Sequence, residues 1–402
     1  MKSARVAALG AALAVSPAWP ARGADGLTLE AALSLARAGS PDVLAARRRV
    51  AEAAARLRAR PGLRENPALE GAWGARDAGP SDFEVGLSQT FELGGRGGSR
   101  RDVDRAALAR EEAEFARAER AVLREVRVAF RRGLLAAERL RLAAAVEADA
   151  AELERIARRR HEQGDVAALD LNVAASARSR ARAELKAAEA ASVSALTDLR
   201  LLLGLAGGEP LSLAGPLWEE APYDPASLLA AAAGRPEVQA LQAQRHEAEA
   251  EARLGRGLAW PDVTPAVRYE RDEGDHVLWA GVTVTLPLFD RGQQLGAVAR
   301  ARRDGLLLET EARTRALQGQ VQGALALHEL RLAAVAELAA NAATLADSEA
   351  LARRSYEVGQ IGLGELLLVR RETAEARRLW LDSLLELAQA RAELDAMSGG
   401  AR

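Results

Sequence analysis

Few residues in this chain have the types and spacings that chemistry requires. Among its 402 residues there is no cysteine, which excludes disulfides, thiolate metal sites, cysteine nucleophiles and lipid attachment through an N-terminal cysteine. The four histidines, His161, His246, His276 and His328, are scattered. No two have the i, i+4 spacing that sets ligands on one helix face, so no metal site is expected. Gly94-Gly95-Arg96-Gly97-Gly98 could cradle a phosphate, but it lacks the Gly-Lys-Ser/Thr ending of a phosphate-binding loop. It reads as a flexible passage from strand to helix. No nucleophile and base stand in a recognisable pattern. The sequence therefore implies neither an enzyme nor a bound cofactor, and function must reside in the shape of the elements.

Of those elements, the stretch Ser99 to Arg160 dominates. It holds no proline and one glycine, Gly133, and its larger apolar residues (Leu123, Val126, Phe130, Leu134, Leu142, Val146, Leu153, Ile156) fall three, four, seven or eight apart. That period marks one helical face. A helix of this length spans roughly 90 Å at 1.5 Å per residue, several times an ordinary globular helix, so it must be a stave of a coiled coil or barrel.

The stretch recurs from about Gly292 to Tyr356, and the landmarks around it recur at one offset of 195 residues. Pro41 is echoed by Pro236, Gly86 by Gly281, Arg96-Gly97 by Arg291-Gly292, and His161-Glu162-Gln163-Gly164 by Tyr356-Glu357-Val358-Gly359. A two-copy repeat of this length implies pseudo-symmetric halves of one architecture. The first half is expected over 27–204, with a β-hairpin at about 66–93 and a helical hairpin at about 99–203. The second is expected over 225–399, with its hairpins at about 262–289 and 292–397. A proline-bearing linker, 205–224, joins them. Each half should open with a helix of about thirty residues, Thr28 to Arg60 and Pro225 to Gly257, with Thr28 as an N-cap.

The hairpin strands alternate strictly. Phe83, Val85, Leu87, Phe91 and Leu93 are interleaved with Glu84, Gly86, Ser88, Thr90 and Glu92, and Leu278, Ala280, Val282 and Val284 with Thr283 and Thr285. Such strands have two unlike faces. Their partners, Leu69 to Arg76 and Val263 to Arg271, are joined to them through Asp77-Ala78-Gly79-Pro80 and Asp272-Glu273-Gly274-Asp275. Seven of the fourteen aromatic residues lie in these short segments (Trp73, Phe83, Phe91, Trp260, Tyr269, Trp279, Phe289), as interfacial aromatic girdles would require.

Residues 1–23 read as a secretory signal, with Lys2 and Arg5 before the apolar run Val6 to Val15. No other run approaches the ~18 apolar residues of a membrane helix, so any membrane span must be β. Net charge is −2, which gives no footprint for nucleic acid, and Arg158-Arg159-Arg160 reads as a solvated helix face. Four strands cannot close a barrel, since the smallest membrane barrels have about eight. The chain must either oligomerise or keep its strands out of lipid, and the aromatic enrichment favours the first.

Leu87-Ser88-Gln89-Thr90-Phe91-Glu92-Leu93-Gly94-Gly95-Arg96 resembles the strand-to-helix passage of the heavy-metal (CzcC-like) branch of the TolC-type outer-membrane efflux factors. Tyr356-Glu357-Val358-Gly359, followed by Glu365-Leu366-Leu367, is similar to that family's tip motif. The resemblance runs from about Leu27 to Gly399. It implies a mainly α fold with a small β part, whose homotrimer forms a twelve-stranded β-barrel in outer-membrane lipid, continuous with a twelve-helix α-barrel in the periplasm. It implies an exit duct of a tripartite RND-type system, docked onto a periplasmic membrane-fusion adaptor and an inner-membrane pump. The duct would conduct substrates passively, heavy-metal cations among them. Carried over residue by residue, the first gate aspartate of the family falls on Glu365, with Asp170 as its echo. The second falls on Leu368, and a tip arginine falls on Ile361. A softer gate is thus expected, a ring of Asp170 and Glu365 from three chains that favours cations. Gly164, Asp165, Tyr356, Gly359 and Gly362 would form the tip turns and the adaptor-docking site. The competing reading is a soluble periplasmic coiled-coil adaptor or scaffold, which explains the long helices but not the duplicated hairpins.

Overall fold

The computed structural model describes residues 26–75, 81–205, 211–219, 223–272 and 275–398. The expected signal and most of both expected hairpin turns lie outside the described residues. The fold is mostly helical with one small sheet.

Thr28 caps α1 (Leu29–Gly39), its hydroxyl accepting from the Ala31 amide at 3.3 Å. The expected unbroken helix to Arg60 is interrupted: Ser40 is extended at φ −60°, ψ 129°, and α2 (Pro41–Ala59) starts afresh. The second half breaks likewise. There α5 (Pro225–Ala231) and a single 3₁₀ turn (Ala232–Gly234) precede Arg235, at φ −73°, ψ 149°, and α6 (Pro236–Gly257) follows. In both cases the proline ring crowds the residue before it out of the helical region.

β1 (Ala68–Gly74) and β2 (Asp82–Ser88) form the first hairpin, and β4 (Asp262–Asp272) and β5 (Asp275–Thr285) the second. The two hairpins merge into one antiparallel sheet because β2 pairs with β4, Phe83 against Arg271 through Ser88 against Ala266. β3 (Phe91–Glu92) continues the same register, Phe91 against Val263. The break between β2 and β3 falls opposite Pro265, which accepts from the Gln89 amide at 3.2 Å but has no N–H to return.

Helix α3 (Arg96–Glu162, 67 residues) and α7 (Gln293–Glu357, 65 residues) are each about 100 Å long. The return helices α4 (Ala168–Leu203) and α8 (Leu363–Ser398) begin and end 195 residues apart. The passage into α3 is packed and held at fixed points, contrary to the flexible link that its glycines imply. The Arg96 side chain is buried, pairs with Asp262, and donates from Nε to the Leu93 carbonyl at 3.0 Å. Arg291 repeats that last bond to Leu288 at 3.3 Å. Behind the second passage, a Cβ on Gly255 would lie 2.8 Å from the backbone nitrogen of Gly296, so α6 and α7 touch there backbone to backbone.

The chain divides into two compact units that cut across the sequence repeats. One comprises the described parts of Met1–Leu44, Val122–Ala221 and Leu327–Glu393, the other those of Ala45–Ala121, Pro222–Ala326 and Leu394–Arg402. In the first, Leu135, Val335, Leu381, Leu384 and Leu387 form a leucine-rich core, and the start of the chain is tied to the linker by Leu27 bridging Leu213. In the second, Leu228, Val321, Leu394 and Met397 pack together, and Tyr223 donates to Asp395 at 2.7 Å. The sheet belongs to the second unit and both helix-to-helix turns to the first.

Two glycine-to-alanine changes should move stability in opposite directions. Gly255→Ala forces a methyl against backbone and should cost about 1–3 kcal/mol. Gly305→Ala, where nothing lies within 4 Å of the added carbon, should gain up to about 1 kcal/mol from helix propensity. Thermal unfolding of the two variants beside the parent chain checks the difference in sign.

Candidate functional site

Two surfaces carry the features that the sequence singles out: the faces of the sheet and the helical tip. The register fixes the first. Leu69, Gly71 and Trp73 on β1 stand beside Leu87, Val85 and Phe83 on β2, then Val267, Tyr269 and Arg271 on β4, then Ala280, Leu278 and His276 on β5. Phe91, Val263, Val282 and Val284 extend this face towards the helices. It is apolar and open: Leu69 is 75% exposed, Trp73 72% and Leu278 72%. Burial against the chain itself does not account for it, and a patch of this kind marks contact with another apolar phase. Ring contacts agree with the register, since Phe83 meets Tyr269 edge to face at 6.2 Å and Tyr269 stacks on His276 at 5.9 Å.

The opposite face is polar. Glu70, Glu84, Ser88, Thr90, Thr264, Arg268, Glu270, Thr283 and Thr285 lie on it. Glu84 faces Glu270 across the β2–β4 ladder, and Arg268 relieves that like-charge pair by binding Glu84 at 2.7 Å. Trp279, opposite Arg268, is the one large aromatic on this side among the described strands. Among the described residues, the outer strands β1 and β5 each pair on one side. Two rows of backbone donors and acceptors are thereby left at the rims of the sheet.

At the tip, both turns are Schellman motifs. The Gly164 amide donates to the His161 carbonyl at 3.0 Å and the Asp165 amide to Arg160 at 2.8 Å. Gly359 and Gln360 repeat this with Tyr356 and Ser355, at 3.1 and 2.8 Å. Gly164 and Gly359 have φ of +83° and +78°, the left-handed region that favours glycine. Gly362 has no positive φ and precedes α8 directly. One core gathers both turns: Leu153, Ala157 and Ala174 pack with Tyr356, Leu363 and Leu366. Tyr356 is buried there with the Arg160 guanidinium 5.3 Å over its ring, so it shapes the tip from within and presents little surface to a partner.

Asp170 and Glu365 occupy equivalent places, each in the first turn of its helix, α4 and α8. The positive end of the helix dipole favours a carboxylate at such a position. Asp170 is half-buried and Glu365 exposed. Around them are apolar side chains open to solvent: Leu169 is 70% exposed, Leu368 58% and Val358 72%. Their signal was present in the sequence, as leucines and a valine beside a turn, but helical periodicity alone does not separate an outward leucine from a core one. Glu154, next to Leu153 of that core, receives Arg178 at 3.0 Å and Arg158 at 2.6 Å. Those two hydrogen bonds hold its carboxyl below the ordinary value of 4.5.

Among the described residues no group of three or more His, Asp or Glu is placed to hold a metal ion. No helix among them is long and apolar enough to cross a membrane.

Replacing Glu154 by Gln should loosen the tip by about 1–2 kcal/mol at neutral pH. A depressed carboxyl stabilises the fold above its unfolded value and loses that contribution as pH falls through the folded one. The difference between Glu154→Gln and the parent chain should therefore shrink below about pH 4.5, as read by limited proteolysis at the turns across a pH series.

Residues 32–205 match the family described as outer membrane efflux protein, a span that closely follows the first sequence repeat. No curated protein matches the sequence. The fold is similar to that of CusC, at a TM-score of 0.78 and 18% identity over 95% of each chain, in a structure concerned with folding and transmembrane channel formation. It is also similar to the CmeC outer membrane channel of Campylobacter jejuni, at 0.76 and 16% identity over 92% of this chain and 85% of that one. The MtrE outer membrane channel of Neisseria gonorrhoeae gives 0.76 and 20% identity over 92% and 88%. Residues 32–205 are thus similar to the outer membrane efflux protein family, and the whole chain shares its fold with solved outer-membrane channels.

Proposed function

We propose that the chain is the exit duct of a tripartite RND-type efflux system. It works as a homotrimer that passes substrates from the periplasm to the exterior without chemistry of its own. The observation that carries this reading is the sheet: four strand positions, one apolar face, one polar face and two unpaired rims. In lipid an open rim leaves each backbone group without a partner, at several kcal/mol apiece. Joining β1 of one copy to β5 of the next removes every rim once the ring closes. Three copies give twelve strands, within the range of membrane barrels, with the apolar face outward and the polar face lining a lumen. The helices would then supply a twelve-helix tunnel on the periplasmic side.

At the tip, the proposed gate is a ring of Asp170 and Glu365. The adaptor would dock on the outer flanks of the turns at Gly164, Asp165, Gly359 and Gly362, with the exposed Leu169, Val358 and Leu368 adding apolar contact for partner helices. Tyr356 supports these flanks from the core. Heavy-metal cations as cargo rest on the resemblance of the strand-to-helix passage, together with the carboxylates on the polar face and at the tip. A soluble adaptor accounts poorly for an apolar sheet face open to solvent.

Two measurements test this reading. Because the chain has no cysteine, pairs of single cysteines, one on β1 and one on β5, should cross-link between copies into a ladder ending at a trimer. Cross-links confined to one copy would refute the closed ring. In planar bilayers, Glu365→Gln with Asp170→Asn should reduce cation preference, and an unchanged preference would remove these carboxylates from the gate.

A further inference from the structure

The apolar face of the sheet carries no carboxylate among the described strands, yet it carries a cation. Arg271 lies in the row Trp73, Phe83, Arg271, His276, which crosses β1, β2, β4 and β5 next to the hairpin ends. This row is at the end of the sheet away from α3 and α7, whose chains leave from the Phe91 and Thr285 ends of the strands. The acidic residues near it, Glu84, Glu270, Asp82 and Asp275, alternate onto the opposite face by register. There Glu84 is already engaged by Arg268 at 2.7 Å. Arg271 is exposed, and among the described residues no hydrogen bond or ion pair holds its guanidinium. Beside it, Tyr269 and His276 form a fixed couple, stacked and joined from hydroxyl to Nδ1 at 2.5 Å.

We infer that this row is a docking surface for the phosphate of an anionic membrane lipid, with Arg271 as its cation and the aromatic residues as its walls. The inference rests on the outer-membrane barrel reading above and goes beyond it. An arginine on a lipid-facing surface is costly unless its head reaches the polar interface and finds an anion there. The hairpin-end row is where that interface falls, because Trp73, Phe83 and Tyr269 have the amphipathic or aromatic character enriched at that depth. With no carboxylate on its own face among the described strands, the planar fork of Arg271 suits two phosphate oxygens, the geometry it matches best. The Tyr269–His276 couple stands next to the same site, and with the Tyr269 hydroxyl donating to Nδ1, the other imidazole nitrogen carries the hydrogen that can reach the same headgroup. Among the described residues, the titratable and charged groups facing that imidazole from its own sheet face are Tyr269 and Arg271.

The test uses the full chain reconstituted in vesicles and the fluorescence of Trp73, which lies in the row itself. Brominated phosphatidylcholine and brominated phosphatidic acid are compared as quenchers, and Trp73→Phe identifies the share of the signal that reports on this position. The parent chain should prefer phosphatidic acid by roughly fivefold, the factor expected for one arginine at a membrane surface. Arg271→Gln should bring the preference close to one, while Arg271→Lys, which keeps the charge, should retain most of it. An undiminished preference in Arg271→Gln overturns the inference, as does equal quenching by the two lipids in the parent chain. If neither lipid quenches Trp73, the face is not in the bilayer, and it is the barrel reading that fails. Recovery of Arg271→Lys in folded, reconstituted form keeps the comparison decisive should Arg271→Gln not assemble.

Discussion

Backbone hydrogen bonding is the constraint on which the rest of the molecule depends. A strand that reaches lipid must hand every amide and carbonyl to a neighbour, and this chain provides neighbours for only part of its sheet. β2 and β4 are served on both sides, while β1 and β5 are served on one. The side chains follow from the same requirement. One face of the ladder carries leucine, valine and aromatic residues and the other Glu, Ser and Thr, as hydrocarbon on one side and water on the other would require of the proposed barrel. Alternation with a period of two encodes both surfaces in one short strand.

The helices meet a different requirement at the same time. Helices of 67 and 65 residues cannot be stabilised by propensity alone and need lateral partners along their length. Short shared cores supply them at intervals: the leucine cluster around Leu381 and Leu384, and the tip cluster around Leu366 and Tyr356. Between such clusters the helix surfaces are covered by arginine–carboxylate pairs, many of them exposed and individually worth little. Cohesion therefore resides in a few apolar nodes, and the charged stretches between them tolerate change.

Much of this was legible in the sequence. The duplication at 195 residues was plain because glycines, prolines and turn motifs are locally determined and do not drift. The strand faces were legible from Phe83, Val85 and Leu87 because alternation survives burial on either side. The pairing of β2 with β4 was not, since register between distant strands is set by tertiary fit and leaves no local mark. The breaks at Ser40 and Arg235 were missed although Pro41 and Pro236 were in view, because helical periodicity on both flanks outweighed a single steric exclusion. At the tip, Gly164 and Gly359 could be placed from sequence. The inward turn of Tyr356 could not, because it depends on Arg160 and on the facing hairpin. The cation on the apolar face also needed the ladder register, as Arg271 in isolation reads as an ordinary polar residue near a turn.

The close approach of α6 to the start of α7 has a mechanical consequence. Where Gly255 abuts Gly296, main chain rests on main chain with no side chain between to act as a cushion. Such a seam cannot yield by swapping rotamers, so a twist applied to one rod is passed to the other with little loss. Movement at this seam would require the backbone itself to shift, whereas the leucine clusters can adjust by rotamer change.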